Sequence, residues 1–374
     1  MINPANFYRE LLENKVDFFS GVPDSLLKDI CAYISDNAPK ERHIIAANEG
    51  ASVGLACGSY LATGKIPLVY MQNSGFGNTI NPLTSIADKE VYGIPMILLI
   101  GWRGEPGMKD EPQHVKQGRI SEDLLKTLEI PYQVLDANSD CKLIIKKAIS
   151  VARDQKAPVA ILVKSGAFGK YSLQDEQTTN YPLNREGAVN LIVKILEKED
   201  IVVSTTGKTS RELFENREAR GESHEKDFLT VGAMGHTSSI AVGIAIEKPD
   251  RNIYCLDGDG SLIMHMGSLA INGCMTNLKN FKHIVINNGA HDSVGGQPTL
   301  AFDIRLTDIA SACGYTYIDK ASSVEEITKK LDILKRHSGR GFLEIIVNKG
   351  ARTGLGRPTK TPKQNKEAFE TFVK

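Results

Sequence analysis

The sequence predicts an α/β protein built from two doubly wound domains, each with a parallel sheet. Short apolar runs alternate with helical runs along the chain of 374 residues, a length that suits two domains of ordinary size. Many of the short runs are apolar on both faces, as expected for parallel strands covered by helices on both sides. A polar stretch rich in Gln, Asn and Thr interrupts this alternation. We therefore predict a first domain over residues 1–170, a linker over 171–185 and a second domain with a C-terminal tail over 186–374.

In the first half, strands are expected where apolar residues run together, and helices where apolar or small residues recur at helical spacing. The expected order is a helix over Asn3–Asn14, a strand and turn over Phe18–Pro23, a helix beginning at Asp24, a strand over His43–Ala46, a small-residue helix over Gly50–Thr63, strands over Pro67–Gln72 and Pro95–Ile100, a polar loop, helices over Ser121–Leu128 and Cys141–Gln155, and a strand over Pro158–Lys164.

The same criteria predict a second alternating series after the linker. The expected order is a helix over Arg185–Glu197, a strand over Ile201–Ser204, helices over Thr209–Arg220 and His236–Ile246, strands over Asn252–Leu256 and Lys282–Ile286, helices over Leu306–Cys313 and Val324–Arg336, a strand over Gly341–Val347, and a tail over Lys349–Lys374 that ends in a short helix.

Composition argues against several classes of partner. Lys and Arg total 45, as do Asp and Glu, so the net charge is zero and no overall positive field favours nucleic acid or an anionic membrane surface. We see no run of about 20 apolar residues that would span a membrane. The N-terminus starts a helix rather than a signal peptide, and the six cysteines are scattered as in reduced proteins. We therefore expect a cytoplasmic protein that binds neither nucleic acid nor membrane.

The most informative motif is Gly258-Asp259-Gly260, followed after 26 residues by Asn287-Asn288. Each part comes at the end of an apolar strand, so a carboxylate and a carboxamide oxygen meet at the edge where parallel sheets bind ligands. Mg2+ prefers such oxygen ligands and completes its shell with phosphates and water. Taken alone, the first part is typical of a turn and the second of a hairpin or loop tip.

Together, the two parts resemble the cofactor signature of thiamine diphosphate enzymes. The resemblance implies that Asp259, Asn288 and the backbone carbonyl of Ala290 bind Mg2+, and that Gly260 lies against the cofactor. The spacer is slightly long for the family, which suggests a small insertion. The resemblance covers nearly the whole chain and implies a pyrimidine-binding domain followed by a diphosphate-binding domain, with no middle domain between them.

Further positions match the family's cofactor site. The resemblance implies that Glu49 hydrogen-bonds the aminopyrimidine and is the catalytic residue, although a glutamate at a helix N-terminus is also explained by the helix dipole. Met234 matches the large apolar side chain that supports the bent cofactor, and Gly232 the carbonyl that accepts from the 4′-amino group. A core methionine is the alternative.

The turn Ser204–Thr209 ends like a P-loop, but its first glycine would fall at Val202 inside a strand, so we reject nucleotide binding. A strand-to-helix turn nevertheless leaves N–H groups free for a phosphate. By resemblance, Thr209, Ser210 and Ser261 contact the diphosphate. Simple helix N-capping explains the same hydroxyls.

Within the family, five segments are most similar to the phosphonopyruvate decarboxylases, with the sulfopyruvate decarboxylases close to them. These segments are Ser20–Leu27, Gln72–Asn78, Glu111–His114, Gly295–Thr299 and Leu355–Thr359. The resemblance implies conversion of 3-phosphonopyruvate to phosphonoacetaldehyde and CO2 in phosphonate (2-aminoethylphosphonate) biosynthesis. Sulfopyruvate decarboxylation, another thiamine diphosphate-dependent lyase or ligase reaction, and a non-catalytic protein that kept the fold remain alternatives.

A 2-oxo acid with a second anionic group requires local polar and cationic side chains. Candidates on the substrate side are Asp24, Ser25, His114, Arg352 and Arg357. Asp24 departs from the glycine that the resemblance leads us to expect at that position. Ser25 is equally consistent with an N-cap, and His114 and the two arginines with ordinary surface positions. Further cations of the predicted polar loop are Arg103, Lys109, Lys116 and Arg119. The family also places its cofactor between subunits, which implies a homo-oligomer, at least a dimer.

Overall fold

The computed structural model describes residues 1–174 and 178–374. It contains two compact units, Met1–Glu176 with Val294–Gln297 and Gln177–Ser293 with Pro298–Lys374. Residues 175–177 of the predicted linker lie outside the described residues. Each unit contains one six-stranded sheet in which every strand pair is parallel, which confirms the predicted fold class.

The N-terminal unit alternates strands and helices. Its strands are β1 (Phe19–Gly21), β2 (His43–Ile45), β3 (Leu68–Gln72), β4 (Ile97–Gly101), β5 (Tyr132–Leu135) and β6 (Val159–Val163), in the order β2-β1-β3-β4-β6-β5. Its helices are α1 (Pro4–Glu13), α2 (Lys28–Asn37), α3 (Glu49–Thr63), α4 (Ile80–Thr84), α5 (Pro112–Thr127) and α6 (Cys141–Gln155), with 3-10 turns at Lys40–Arg42 and Asn73–Thr79.

The C-terminal unit repeats this plan. Its strands are β7 (Ile201–Ser204), β8 (Asp227–Leu229), β9 (Ile253–Gly258), β10 (Asn280–Asn287), β11 (Tyr317–Ala321) and β12 (Gly339–Ile346). Its helices are α7 (Arg185–Ile195), α8 (Lys208–Ala219), α9 (Thr237–Glu247), α10 (Asp259–Met264), α11 (Ser268–Cys274), α12 (Leu306–Ala312), α13 (Val324–Arg336) and α14 (Pro362–Val373). The order β8-β7-β9-β10-β12-β11 is that of the first sheet, strand for strand.

Two apolar layers hold each sheet. Along β4, Ile97 and Leu99 belong to one buried cluster, whereas Leu98 and Ile100 belong to another, because successive side chains point to opposite faces. The central strands β9 and β10 are buried along almost their whole length in the same way. Each fully buried aliphatic side chain contributes about 1.5–3 kcal/mol, so these layers fix the positions of the strand ends.

Two sequence predictions near the first sheet are wrong. The helix expected from Asp24 begins at Lys28, because the Asp24 carboxylate accepts hydrogen bonds from the backbone N–H groups of Leu26 and Leu27 and forms a turn. The loop expected to extend to Ser121 is helical from Pro112, a favourable first helical residue. His114 is therefore not a loop histidine.

The prediction also missed three strands, β5, β8 and β11. All three are edge strands of their sheets. An edge strand lacks a neighbour on one side, and β5 and β11 are only partly buried over most of their length. The continuous apolar run that marks a central strand is therefore weaker there.

Candidate active site

The ends of β9 and β10 lie side by side, since Gly258 pairs with Ile286 in the sheet. Asp259 follows at the first position of α10 and is only 4% exposed. Its Oδ2 accepts a hydrogen bond of 2.5 Å from Thr299 Oγ1. Burial raises the pKa of Asp259 to about 6, although Thr299 and backbone N–H groups favour the ionised form. Among the described residues, no Lys or Arg forms an ion pair with Asp259, so this buried carboxylate is suited to a bound cation.

The two asparagines after β10 have different surroundings. Asn287 donates to Glu344 Oε1 at 2.7 Å and accepts from the Gly289 N–H at 3.0 Å, so its side chain stabilises the loop. Asn288 is 6% exposed, and its Oδ1 accepts from the Ala290 N–H at 3.2 Å. Asn288 and Ala290 are therefore adjacent in the loop that follows β10, and their oxygens fit the hard-cation chemistry expected from the sequence.

The turn after β7 is closed by its own hydroxyl groups. Ser210 Oγ donates to the Thr205 carbonyl at 2.8 Å and lies 2.6 Å from Ser204 Oγ. Ser261 Oγ accepts from Thr205 Oγ1 and from the Gly235 N–H, both at 3.1 Å. These hydroxyls join the turn after β7 to the one after β9. The first N–H groups of α8, including those of Thr209 and Ser210, remain the anion donors that a helix N-terminus provides.

A third loop, before α9, carries the predicted apolar support. The Gly232 N–H donates to Thr206 Oγ1 at 3.0 Å, which ties this loop to the turn after β7. Met234 Cε lies 3.5 Å from the position that a Cβ atom would take on Gly260, and the His291 ring lies 3.2 Å from it. A side chain at position 260 would therefore be in tight contact with the His291 ring. The structure therefore places Met234 of this loop beside Gly260, and Ser261 accepts a hydrogen bond from the Gly235 N–H of the same loop.

Glu49 occupies the first position of α3 in the N-terminal unit, directly after the N-cap Asn48. The side chain is buried, and Oε2 accepts a hydrogen bond of 2.7 Å from Asn78 Nδ2. A Cβ atom on Gly75 would overlap Glu49 Oε1, so only glycine allows this close approach. Glu49 is therefore held in a defined position by the turn after β3.

A second polar cluster lies at the ends of β1 and β4. Arg103 makes a bidentate ion pair with Asp110, with Nε 2.8 Å from Oδ2, and donates to Ser25 Oγ at 2.7 Å. Asp24 is fully buried, and burial raises its pKa to about 6 against the effect of backbone N–H groups and Arg103. His114 is 7% exposed, and burial, with a further contribution from Arg103, lowers its pKa.

The sequence candidates for substrate binding fall into two groups. Asp24, Ser25 and His114 belong to the N-terminal unit, whereas Arg352 and Arg357 belong to the C-terminal unit. Arg352 forms ion pairs with Glu186, at 2.8 Å, and with Glu215.

Several residues of the site were not identified from the sequence. They are Asn73, Asn78, Asp110, Asp292 and Thr299. Asn73, Asn78 and Thr299 lie within segments whose motifs were recognised, but nothing in those motifs shows which side chain they contact.

Comparisons with known proteins agree with this geometry. Residues 5–126 match the family model described as thiamine pyrophosphate enzyme, N-terminal TPP binding domain, and residues 205–345 match the corresponding C-terminal TPP binding domain. Fold and site together define a thiamine diphosphate enzyme, and thiamine diphosphate (the same molecule as thiamine pyrophosphate, TPP) is its cofactor.

The chain is 32% identical to phosphonopyruvate decarboxylase from Streptomyces viridochromogenes, over 100% of this chain and 95% of that protein. It is also 32% identical to phosphonopyruvate decarboxylase from Streptomyces hygroscopicus, over 100% of this chain and 94% of that protein. Sulfopyruvate decarboxylase from Methanosarcina acetivorans is 26% identical over 100% of this chain and 98% of that protein. The chain therefore belongs to the thiamine diphosphate-dependent decarboxylases, a family of carboxy-lyases, which confirms the family predicted from the sequence. Among the described helices, none has the length and apolar character needed to cross a membrane.

Proposed function

We propose that the protein decarboxylates 3-phosphonopyruvate to phosphonoacetaldehyde and CO2, with thiamine diphosphate and Mg2+, in the biosynthesis of phosphonates such as 2-aminoethylphosphonate. The observation that carries the proposal is the 32% identity to two phosphonopyruvate decarboxylases over the full chain. Sulfopyruvate is the second candidate substrate, because a relative with that activity is 26% identical over the same length.

In this proposal, Asp259, Asn288 and the carbonyl oxygen of Ala290 hold Mg2+. The support is a buried carboxylate with a raised pKa and two neighbouring oxygens at adjacent strand ends. Mg2+ keeps few protein ligands and shares the rest of its shell with phosphate and water. The N–H groups at the start of α8, with Thr209 and Ser210, and the turn at Gly260 and Ser261 receive the diphosphate.

Glu49 is the proposed catalytic residue. Bound thiamine diphosphate supplies a nucleophilic carbon and a sink for the electrons left when CO2 departs. The Glu49 carboxyl group, held by Asn78 and pressed against Gly75, moves a proton at the aminopyrimidine. Met234 supports the cofactor ring, and the backbone carbonyl of Gly232 accepts a hydrogen bond from it.

For the substrate, we assign the anionic end to the cluster around Arg103 and Ser25. Arg103 uses three N–H groups for Asp110 and Ser25, and a planar guanidinium offers five. Asp24 and His114 adjoin this group; burial raises the pKa of Asp24 to about 6, whereas burial and Arg103 lower the pKa of His114, which favours its neutral form. Arg352 and Arg357 remain further candidates for the second anionic group.

We also propose a homo-oligomer, at least a dimer, with the active site at the subunit interface. In support, α3 carries Leu55 and Leu61 exposed by 36% and 69%, next to Gly54 and Gly58, above which lies open space. This helix begins with Glu49, so a second subunit that covered it would adjoin the proposed catalytic residue. Sedimentation of an active monomer would refute this arrangement.

A substrate panel tests the reaction. Purified protein with thiamine diphosphate and Mg2+ is given 3-phosphonopyruvate, sulfopyruvate or pyruvate, and CO2 and aldehyde are measured. We expect the highest kcat/KM with 3-phosphonopyruvate. A preference for sulfopyruvate would select the second candidate. Turnover of pyruvate into acetolactate would indicate a ligase, and no turnover of any 2-oxo acid would favour a non-catalytic protein.

A further inference from the structure

A network of ion pairs, buried at Arg185 and Glu212 and partly buried at Asp292 and Lys208, lies beside the loop that follows β10. Arg185, the first residue of α7, is 6% exposed and donates to both carboxylate oxygens of Glu212, at 2.7 and 2.8 Å. Its third hydrogen bond, of 2.9 Å, goes to Asp292 Oδ2. Lys208 Nζ donates to the Asp292 carbonyl at 3.1 Å and lies 3.3 Å from Asp292 Oδ1. Asp292 thus uses both carboxylate oxygens and its carbonyl to bind cationic groups.

Asp292 and Lys208, two members of this network, lie in the two loops proposed to bind the metal and the diphosphate. Asp292 lies two residues after Ala290 and four after Asn288, so it belongs to the same loop as the residues proposed to hold Mg2+. Lys208 is the first residue of α8 and precedes Thr209 in the turn proposed to receive the diphosphate. Next to Asp292, Ser293 Oγ lies 3.3 Å from the position of a Cβ atom on Gly207. The network therefore joins the metal loop, residues 288–292, to the diphosphate turn, residues 205–209.

The charges of the network cancel. Two cations, Arg185 and Lys208, face two carboxylates, Glu212 and Asp292. A neutral group adds little attraction for a diphosphate, so its effect on the site is geometric. Removal of Asp292 would leave the buried Arg185 with one partner fewer, so the pairs favour the loop arrangement in which both cations contact Asp292.

We propose that Asp292 is a positioning residue that ties the metal loop to the diphosphate turn before metal and cofactor arrive. Residues that do not touch the ion can still orient metal ligands, and Asp292 would do so through the loop backbone that it shares with Asn288 and Ala290. The Mg2+ requirement for cofactor binding, measured below, rests on the proposed metal role of Asn288 and Ala290. The hydrogen exchange of the loop does not.

The first measurement uses the full chain without cofactor. Hydrogen exchange at the amides of residues 288–292 is compared between the parent protein and Asp292→Ala. We expect the amides of the variant to exchange about tenfold faster. In a second measurement, by calorimetry, the Mg2+ concentration needed for thiamine diphosphate binding should also rise about tenfold, the lower end of the usual effect of losing a residue that orients metal ligands. Lys208→Met, which keeps the Arg185–Asp292 pair, should change both quantities in the same direction by a smaller factor.

Asp227→Ala is the matched control, because Asp227, like Asp292, uses both carboxylate oxygens for cationic groups: it pairs with Arg217, at 2.8 and 2.9 Å, near the other end of α8. This variant should lose thermal stability but keep the parent's loop exchange and Mg2+ requirement. Unchanged loop exchange in Asp292→Ala and Lys208→Met, or equally faster exchange in Asp227→Ala, overturns the proposal. If even the parent binds no cofactor while the exchange difference persists, the metal assignment fails and the positioning role stands.

Discussion

The two sheets have the same strand order, yet the loops at the carboxyl ends of their central strands differ in how they balance charge. At the end of β4, Asp110 meets Arg103, and this ion pair lowers the pKa of Asp110. The turn after β9 instead leaves Asp259 buried beside a hydroxyl group, with its pKa raised to about 6. Asp110 is thus paired with a cation of its own unit, whereas Asp259 has no ion pair with Lys or Arg among the described residues and, in our proposal, binds a metal cation.

The corresponding turns after β3 and β9 each contain a glycine, and the two glycines differ in which groups lie close to them. Gly75 admits a side chain of its own unit, Glu49, into van der Waals contact. Gly260 instead lies next to Met234 and His291, which are 3.5 and 3.2 Å from the position that a Cβ atom would take. Glycine serves close approach in both turns, once to a protein carboxylate and once, in our proposal, to the cofactor.

The largest effect is expected from Glu49→Gln in the N-terminal unit. The amide keeps the size and one acceptor oxygen but cannot move a proton, so kcat should fall by about 10²–10⁴, the usual contribution of a positioned acid or base. Cofactor affinity should stay near that of the parent, because the groups proposed to bind Mg2+ and the diphosphate lie in the other unit and glutamine can still hydrogen-bond the aminopyrimidine. Stopped-flow measurement of CO2 release and calorimetry separate the two effects. Unchanged turnover would remove Glu49 from the catalytic role.

Asp259→Ala tests the other side of the comparison. Loss of the buried carboxylate should raise the Mg2+ requirement for cofactor binding by about 100-fold or more, because charge attraction and a ligand are lost together. The cofactor-free protein should be as stable as the parent or more so, since Asp259 is buried without a cation partner among the described residues. Identical Mg2+ titrations of variant and parent would place the ion elsewhere.

Sequence patterns predicted the central strands and the residues at their ends, because a strand buried on both faces leaves a continuous apolar run and the motifs are local. They did not predict the partners of those residues. Asn78 is 29 positions from Glu49, and Thr299 is 40 positions from Asp259, so only the folded sheet brings them together. The partial burial of β5 and β11 likewise depends on which strand neighbours them, and this cannot be obtained from residue periodicity.

Gly75→Ala gives an intermediate effect in the N-terminal unit. The added methyl group would overlap the Glu49 carboxylate, so the side chain must rotate away and lose its bond to Asn78. We expect kcat to fall by about 10²-fold, as for a small misplacement of a reacting group. Gly77→Ala is the control, because a Cβ atom there meets open space. Equal losses in both variants would mean that the turn itself, rather than Glu49, is disturbed.

The smallest effect concerns Asp24 and appears as a pH dependence of stability. Its pKa rises from 3.8 to about 6 on folding, with burial as the main cause, so the folded protein retains a proton that the unfolded chain releases between these values. The contribution of Asp24 to stability is therefore greatest below pH 4 and is lost as the pH rises to about 6. A difference of about 2 pKa units corresponds to about 3 kcal/mol. In Asp24→Asn this loss should be absent, so thermal unfolding midpoints measured from pH 4 to pH 7 should fall more steeply in the parent than in the variant. If the unfolding midpoints of parent and variant fall in parallel with pH, the pKa of Asp24 is not raised on folding. Arg103 would then stabilise the ionised form of Asp24 as it does that of Asp110.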